Sequence, residues 1–209
     1  MKGKIELLNY ESAIKFLLPR HYSGRIPSIS QAFGWFLDDK LVAVCSFGKP
    51  ASPPLCNGIC GKEYSSSVYE LNRLCRVDEL EFPLSSFVAG CLRRLRNKNW
   101  IIVSYSDTDM NHHGYIYQAT NFLYTGQTKP RTDKYTSGNK HPRHYNDEQQ
   151  GTLRKIRSAK HRYIYFCSND KKLIKNWTQA LRYPILPYPK GENGYYQLGE
   201  YLEPKVIAV

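Results

Sequence analysis

A nearly continuous apolar run, Trp-Ile-Ile-Val-Ser-Tyr, occupies residues 100–105. Strands with one face in water alternate apolar and polar residues, whereas strands covered on both faces do not. The run is also rich in β-branched and aromatic residues, which favour strands. It therefore predicts a central strand in a sheet with helices on both faces, which is a mixed α/β architecture.

The segments on either side of this strand complete the α/β pattern. Asn9 can cap a helix over residues 10–18, and Ser85 or Ser86 can cap an amphipathic helix that continues to Asn97. Further strands are expected at residues 31–37, 41–47, 68–77 and 162–167, and a further helix is expected at 170–181.

The chain length favours one domain over residues 1–209. This domain would carry a basic insertion at about 128–161 and a Pro/Tyr-rich tail at about 183–209, and the Pro/Gly/Ser-rich segment 49–67 is expected to be a long loop. No apolar run approaches the roughly 18 residues of a membrane span, and charges interrupt the N-terminal segment. We therefore expect no membrane span, no signal peptide and a cytoplasmic location.

The six cysteines are expected to be reduced in that compartment. Four lie in apolar contexts and are predicted core residues. Cys56 and Cys60 instead lie on the predicted loop, in a C-x3-C spacing. A structural zinc site usually needs a second close pair, which the sequence lacks. Loop packing is therefore the favoured interpretation, and metal binding is the alternative.

Positive charge is concentrated in one part of the chain. The formal net charge is +12, and residues 129–162 hold ten Lys/Arg against three Asp/Glu, a local excess of seven. Tyr135 and Tyr145 lie within this stretch, and cations interleaved with aromatic rings suit phosphate contacts and base stacking. The predicted partner is nucleic acid, and a merely soluble basic protein is the alternative. The candidate DNA-binding cations are Lys134, Lys140, Arg143, Arg154, Arg157 and Lys160.

Four separated motifs follow one another along the chain. They are Tyr-Glu-Leu-Asn-Arg-Leu at 69–74, Ser-Tyr-Ser-Asp at 104–107, His-Gly-x-Ile-Tyr-Gln-Ala-x-Asn-Phe at 113–122 and Lys-His-Arg-Tyr-Ile-Tyr-Phe at 160–166. In these motifs and in the order of its elements, nearly the whole chain resembles the Mom family of phage DNA-modification proteins, a divergent branch of the GNAT acyltransferase superfamily. The resemblance implies a GNAT-like mixed central sheet with splayed strands flanked by helices.

The resemblance also implies an activity. Proteins of this family add a carbamoylmethyl (acetamido-type) group to adenine N6 in double-stranded phage DNA, in the host-cell cytoplasm, and the modified base resists host restriction enzymes. Chemistry at N6 within a duplex requires the base to leave the stack. Two alternatives are a GNAT acyltransferase on a protein, an RNA or a small amine, and a non-catalytic nucleic-acid-binding GNAT scaffold.

Catalytic candidates follow from the same motifs. Tyr117 matches the GNAT tyrosine that protonates a leaving thiolate, and a packed tyrosine is the alternative. Asp107 ends the central strand, where it could be a base, a base-orienting group or a helix cap. His21 and Tyr22 lie in the loop that borders the acceptor pocket of GNATs. Tyr22 could stack on an extruded base, and a surface-loop tyrosine is the alternative. His113 could cap or orient the next helix, act as a base or contact DNA, and a solvated turn histidine is the alternative.

Other polar residues are candidates for binding the donor. Arg73 lies in mid-strand, where a buried guanidinium needs Glu70, Asp78 or a ligand phosphate as its partner. Asn121 could contact an adenine edge or hold the helix C-terminus. The complete set of donor-binding candidates is Arg73, Ser85, Ser86, Ser104, Asn121 and Tyr124. Three residues of the third motif are spaced by four and are expected to share one helix face, namely His113, Tyr117 and Asn121.

The identity of the donor is open. Typical GNATs carry a glycine-containing turn before the helix that binds the donor's pyrophosphate, whereas residues 78–86 here contain no glycine and three carboxylates. Backbone amides at the start of the helix could still bind phosphate, but the acids oppose a polyanion. The expected cofactor is acetyl-CoA or another acyl or aminoacyl donor, as a small molecule or on an acyl carrier. Iron or another divalent metal is a further possibility.

Overall fold

The computed structural model describes residues 3–78, 83–135, 152–192, 194 and 205–208. Within these residues ten strands form two sheets. The strands are β1 (Lys4–Leu7), β2 (Gln31–Leu37), β3 (Lys40–Gly48), β4 (Val68–Arg76), β5 (Trp100–Asp107), β6 (Leu123–Gln127), β7 (Arg131–Lys134), β8 (Leu153–Arg157), β9 (Lys160–Cys167) and β10 (Val206–Ala208). The α-helices are α1 (Tyr10–Leu17), α2 (Pro53–Cys60), α3 (Leu84–Leu95), α4 (Tyr115–Ala119) and α5 (Lys171–Ala180).

The large sheet has the strand order β1-β2-β3-β4-β5-β9-β6. All its neighbouring strands pair antiparallel except β4 and β5, which are parallel. β5 pairs with β9 from Trp100 to Asp107, but with β4 only from Ile101 to Val103. The two strands therefore separate beyond Glu70 and Val103, and the predicted GNAT-like sheet with splayed strands is confirmed.

Helices cover both faces of this sheet, as the apolar run predicts. Ile102 packs in one core with the apolar side of α3, and we call this side of the sheet the α3 face. Ile101 and Val103 point the other way and pack with Trp177 of α5 and Ile59 of α2, on what we call the α5 face. Helix α1 covers the α5 face further along the sheet, over β2, β3 and β4.

Local sequence signals explain where α1 and α2 begin. The helix predicted at 10–18 is confirmed to within one residue, since the Asn9 side chain accepts a hydrogen bond from the Ser12 N–H at 2.8 Å. The prediction of a long loop at 49–67 is wrong, because this segment contains α2 and a 3-10 helix at Lys62–Ser67. Pro53 and Pro54 open α2, at positions where the missing N–H costs nothing.

The start of α3 differs from the prediction. The helix begins at Leu84, directly after Pro83, so Ser85 and Ser86 lie in its first turn and neither is its cap. A proline disfavours helical conformation in the residue before it, which fixes the start of the helix here. The hydroxyl-capping pattern at Ser85 and Ser86 was therefore misleading.

Helix α4 is short and lies between two left-handed residues. It begins after Gly114, which has a φ of 75°, and Asn121, with a φ of 60°, follows its end. The N–H groups of Asn121 and Phe122 donate to carbonyls of the last turn at 3.1 and 3.0 Å, which is a Schellman motif. The prediction that His113, Tyr117 and Asn121 share one helix face is wrong, because His113 and Asn121 lie outside the helix.

The small sheet has the strand order β10-β8-β7, with antiparallel pairs. Its strands come from the predicted basic insertion and from the predicted tail, where the sequence patterns indicated none. In the part of the chain described, no helix is both long enough and apolar enough to cross a bilayer.

Candidate active site

A cavity of about 1150 Å³ opens where β4 and β5 separate. Leu84 and Tyr117 line it from the α3 face, and Leu55, Tyr105 and Asp107 line it from the α5 face. The cavity therefore passes through the sheet at the gap between the two strands. The predicted site residues on its wall are His21, Tyr22, Arg73, Asp107, Tyr117, Arg157 and Lys160.

Tyr117 on α4 is fixed by neighbouring aromatic rings. Its ring packs against Phe122 and Tyr163 at centroid distances of 5.3 and 5.2 Å. Burial raises the pKa of the Tyr117 hydroxyl to about 12, although a hydrogen bond with Ser104 opposes this shift. At neutral pH the hydroxyl is therefore protonated and can donate a proton or a hydrogen bond.

Ser104 lies where the β4–β5 ladder ends. It is fully buried, and its hydroxyl donates to the Leu71 carbonyl of β4 at 2.8 Å. This side chain links the two strands just beyond their last paired residues. It stands behind Tyr117 and not on the cavity wall.

Asp107, at the end of β5, is held by three groups. It forms an ion pair with the Lys160 ammonium and accepts hydrogen bonds from the Ser158 hydroxyl and, at 3.2 Å, from the Asp109 N–H. Burial alone would raise the pKa of this carboxyl, but Lys160 and the hydrogen bonds leave the pKa below its usual range. Asp107 is thus a fixed negative charge, and it also caps the 3-10 turn Thr108–Met110.

His21 and Tyr22 form a stacked pair with ring centroids 4.4 Å apart. The Ser23 N–H donates to His21 Nδ1 at 3.1 Å, which assigns the imidazole proton to Nε2. Burial, together with the charges of Arg73 and Lys160, holds the pKa of His21 well below its usual value. The ring is therefore neutral at neutral pH, with Nε2–H as a hydrogen-bond donor.

A β-bulge brings Glu70 and Arg73 to the same side of the sheet. Residues three apart on a regular strand point to opposite faces. The ladder with β3 slips by one residue at Asn72, however, and this slip reverses the alternation. Both side chains consequently line the cavity on the α5 face, between Val68 and Cys75, which pack on that face.

The Arg73 guanidinium is oriented by main-chain carbonyls. It donates to the Asn72 carbonyl at 2.7 Å and to the Arg25 carbonyl at 3.2 Å. Among the described residues, its buried Nε–H has no hydrogen-bond partner and no carboxylate lies within ion-pair distance. Glu70 and Asp78, the partners considered from the sequence, line the same cavity without pairing with it.

Glu70 is a cavity residue whose own role the sequence did not indicate. It follows Tyr69 at the end of the paired segment of β4, at the edge of the gap. Burial raises the pKa of its carboxyl, while the charges of Arg73, Lys160 and Arg157 oppose the shift. A carboxyl with a raised pKa can exchange protons closer to neutral pH than an ordinary glutamate. The bulge that places it here leaves no pattern in the sequence.

The remaining predicted residues lie away from the cavity wall. Tyr124 is buried, with its hydroxyl 2.9 Å from His161 Nδ1. Asn121 is exposed beyond α4, and the Ser86 N–H already donates to the Pro83 carbonyl at 2.9 Å. The others that stand outside the wall are Ser85, Ser104, His113, Lys134 and Arg154. Two more, Lys140 and Arg143, lie outside the described residues.

Metal binding receives no support from the described residues, in which no three His, Cys, Asp or Glu side chains converge. Cys56 and Cys60 face the core from α2, with the Cys60 thiol 3.6 Å from the Trp177 carbonyl. These two thiols therefore pack in the core from a helix, whereas the favoured interpretation of their spacing was packing within a loop.

The arrangement of the cavity suits transfer of a group to an amine. A protonated hydroxyl, Tyr117, stands on the α3 side of the gap. A carboxyl with a raised pKa, Glu70, and a fixed carboxylate, Asp107, stand on the α5 side. Two reactants that meet in the gap would thus have an acid on one side and a base on the other.

The chain was compared with protein families and with solved structures. The sequence model of the Mom protein family matches residues 3–190. An N-acetyltransferase from Staphylococcus aureus Mu50 has 11% identity and a TM-score of 0.49, with 80% of this chain and 99% of that chain covered. The ribosomal-protein-S18-alanine N-acetyltransferase from Escherichia coli has 9% identity and a TM-score of 0.48, with 82% and 97% covered. No protein of curated function matches the chain.

Proposed function

Since the chain belongs to the Mom protein family, we propose that it is a GNAT-like transferase that adds a carbamoylmethyl (acetamido-type) group to adenine N6 in double-stranded phage DNA. The modified base would protect that DNA from host restriction enzymes. The observation that carries the proposal is the cavity at the β4–β5 gap, with Tyr117 on one side and Glu70 and Asp107 on the other.

In the proposed reaction, adenine N6 forms a bond to the donor carbon while the bond from that carbon to the leaving group breaks. N6 loses one proton, and the leaving group gains one. Tyr117, whose hydroxyl is protonated at neutral pH, protonates the leaving group. Glu70 accepts the proton from N6, since its raised pKa suits a base. Asp107 is a weaker base and stabilises the positive charge that develops on N6.

DNA as the acceptor agrees with the charge of the protein and with the α5 side of the cavity. The net charge of +12 favours a polyanionic partner. Tyr22 and Tyr105 line the cavity, and aromatic rings of this kind stack on a base that has left the duplex. In this proposal Tyr22, stacked on His21, holds the adenine with N6 turned towards the gap.

The donor in this proposal enters from the α3 side and must carry the carbamoylmethyl group on the carbon that N6 attacks. Acetyl-CoA itself lacks the amide nitrogen and would give N6-acetyladenine, so the proposed donor is an acyl or aminoacyl compound that supplies that nitrogen. Leu84, at the start of α3, lines this part of the cavity, and so does Asp78. One amide of the first turn of α3, Ser86 N–H, is already used within the chain. A donor whose binding depends less on a pyrophosphate at this helix would fit these features best.

The test uses DNA from cells that express the chain. The DNA is digested to nucleosides and analysed by mass spectrometry, and we expect a deoxyadenosine heavier by one carbamoylmethyl group. The Tyr117→Phe variant, confirmed to be folded, should yield far less of it. Unmodified adenine in cells that contain folded wild-type protein would refute the proposal. In that case, acetyl-CoA binding would favour another acceptor, and salt-sensitive DNA binding that survives Tyr117→Phe and Asp107→Asn would favour a non-catalytic role.

A further inference from the structure

The small sheet presents one of its faces to the cavity. Successive residues of a strand point to opposite faces. Four charged residues of β7 and β8 line the cavity, namely Arg131, Asp133, Lys155 and Arg157. Lys134 and Arg154, which lie opposite each other in the β7–β8 ladder, do not line it. β7 and β8 therefore form a charged wall opposite the α5 face of the large sheet.

The cations of this wall outnumber the carboxylates that could neutralise them. Asp133 lies 3.4 Å from Arg131 and 3.6 Å from Arg157, so one carboxylate serves two guanidinium groups. Among the described residues, the Lys155 ammonium makes no ion pair and no hydrogen bond. Asp107, the other cavity carboxylate in a close ion pair, is paired with Lys160 and not with a cation of β7 or β8.

The like charges act on one another across the cavity. Burial lowers the pKa of Lys155, and the charges of Arg157, Arg25 and Lys160 lower it further. Burial also lowers the pKa of Arg73, and the charge of Arg157 adds to that shift. Arg157 therefore lies within electrostatic reach of both Lys155 and Arg73. Glu70 is the carboxyl that acts on both Arg73 and Arg157, so one carboxyl with a raised pKa faces several cations. Keeping these cations together costs free energy unless a further anion lies among them.

Arg73 contributes hydrogen bonds as well as charge. Its contacts with the Asn72 and Arg25 carbonyls fix the plane of the guanidinium. The buried Nε–H has no acceptor in the described part of the chain, and the Arg73 side chain lines the cavity. A guanidinium with an open donor suits a phosphate oxygen, because hydrogen bonds between ionised groups are the strong ones.

We propose that Arg73, Lys155 and Arg157 form a binding site for a phosphate group inside the cavity, beside the reacting groups. This inference deepens the proposed function and rests on it for the source of the phosphate, which we assign to the phosphodiester next to the extruded adenine. Sequence-independent binding of this phosphate would hold the nucleotide in place while the gap holds its base. A phosphate of the donor is the other source of the same chemistry.

The first experiment measures binding of inorganic phosphate to the full-length protein by calorimetry. Loss of a hydrogen bond to a charged group should weaken binding about tenfold or more, and we expect this for Lys155→Gln and for Arg157→Gln. The control is Arg93→Gln, an exposed residue in the last turn of α3 and not on the cavity wall. Wild-type affinity in both β8 variants would overturn the inference. Arg73→Gln is left as a supporting variant, because its burial endangers folding.

The second experiment distinguishes the two sources of the phosphate. Duplex DNA is prepared with uncharged methylphosphonate linkages on both sides of its adenine. If the phosphate belongs to DNA, this change should weaken binding about tenfold in the wild type and have little effect in Lys155→Gln/Arg157→Gln. If it belongs to the donor, the double variant should instead lose affinity for acetyl-CoA and respond to the methylphosphonate as the wild type does.

The outcomes also separate this inference from the proposed function. Phosphate binding that depends on β8, in a protein that leaves adenine unmodified, would support the site and refute the DNA-modifying activity. If adenine is modified and phosphate binding is unchanged by both β8 substitutions, the DNA-modifying activity is supported and the phosphate site is refuted.

Discussion

The ion pair between Lys160 and Asp107 can be tested by the substitution Lys160→Gln. Only 22% of the Lys160 side chain and 9% of the Asp107 side chain are exposed. The substitution would leave Asp107 with the hydrogen bonds from Ser158 and from the Asp109 N–H but without a countercharge. The fold should therefore lose stability at neutral pH, where the carboxylate is ionised.

The magnitude follows from the degree of burial. A hydrogen bond to a charged group contributes about 1.5–3 kcal/mol, and breaking a fully buried ion pair costs roughly 3–5 kcal/mol. The pKa of Lys160 is itself lowered, because burial and Arg157 outweigh the attraction of Asp107, whereas the pKa of Asp107 falls as an ion pair requires. Because the ammonium and the carboxylate are in close contact, we take both groups to be charged. The cost of burying the Lys160 ammonium offsets part of the ion pair's stabilisation, so we expect Lys160→Gln to lower the free energy of unfolding by about 2 kcal/mol.

The assay is urea unfolding of the wild type and the variant at several pH values. Since folding lowers the pKa of Asp107, its stabilisation is fully present above the unfolded value near 3.9 and is lost as pH falls through the folded value. The difference between the two proteins should therefore shrink in acid. Lys4→Gln is the control, because it breaks an exposed ion pair with Glu6 and should have no measurable effect. A loss no greater than that of the control, or one independent of pH, would refute the reasoning.

Three further predictions concern individual residues. Tyr117→Phe should lower transferase activity by about 10²–10⁴-fold with little change in melting temperature. Tyr10→Phe, at an exposed position that does not line the cavity, should change neither. Because folding raises the pKa of Glu70, its ionisation opposes folding above the unfolded value near 4.3. Glu70→Gln should therefore raise the melting temperature at pH 7 but not in acid below that value, and a pH-independent change would contradict this. Asn121→Val should cost about 1–2 kcal/mol in urea unfolding because of its left-handed backbone, whereas Asn121→Gly should be tolerated; equal losses would contradict the Schellman assignment.

Elements that depend on local signals were predictable from the sequence. The apolar run at 100–105 is typical of a strand covered on both faces. Helix α1 has an asparagine at the position where its side chain caps the helix. The failures have local causes too. Prolines at 53 and 54 suggested a loop, although proline is compatible with the first turn of a helix. The strands β7 and β8 show no alternation of apolar and polar residues, because charged residues occupy both of their faces.

The candidate site was predictable in part. Tyr117, Asp107 and Arg73 come from motifs far apart in sequence, and the structure brings them to one cavity. The basic stretch, in contrast, predicts one DNA-binding surface, whereas the strand alternation sends Arg157 into the cavity and Arg154 away from it. The opposite orientations of Arg157 and Arg154 and the bulge beside Glu70 do not follow from composition or spacing. Each depends on which strand pairs with β8 or with β4 in the folded sheet.

The short pairing between β4 and β5 has a consequence for how this fold can evolve. Only three residue pairs join the first four strands of the large sheet to the other three. Substitutions that lengthened this ladder would strengthen the sheet at its weakest seam, but they would also narrow the gap that the reactants need. Selection for thermal stability and selection for turnover thus oppose each other at these residues. Stabilised relatives should therefore carry their improvements in the outer strands and helices, and they should leave the seam short.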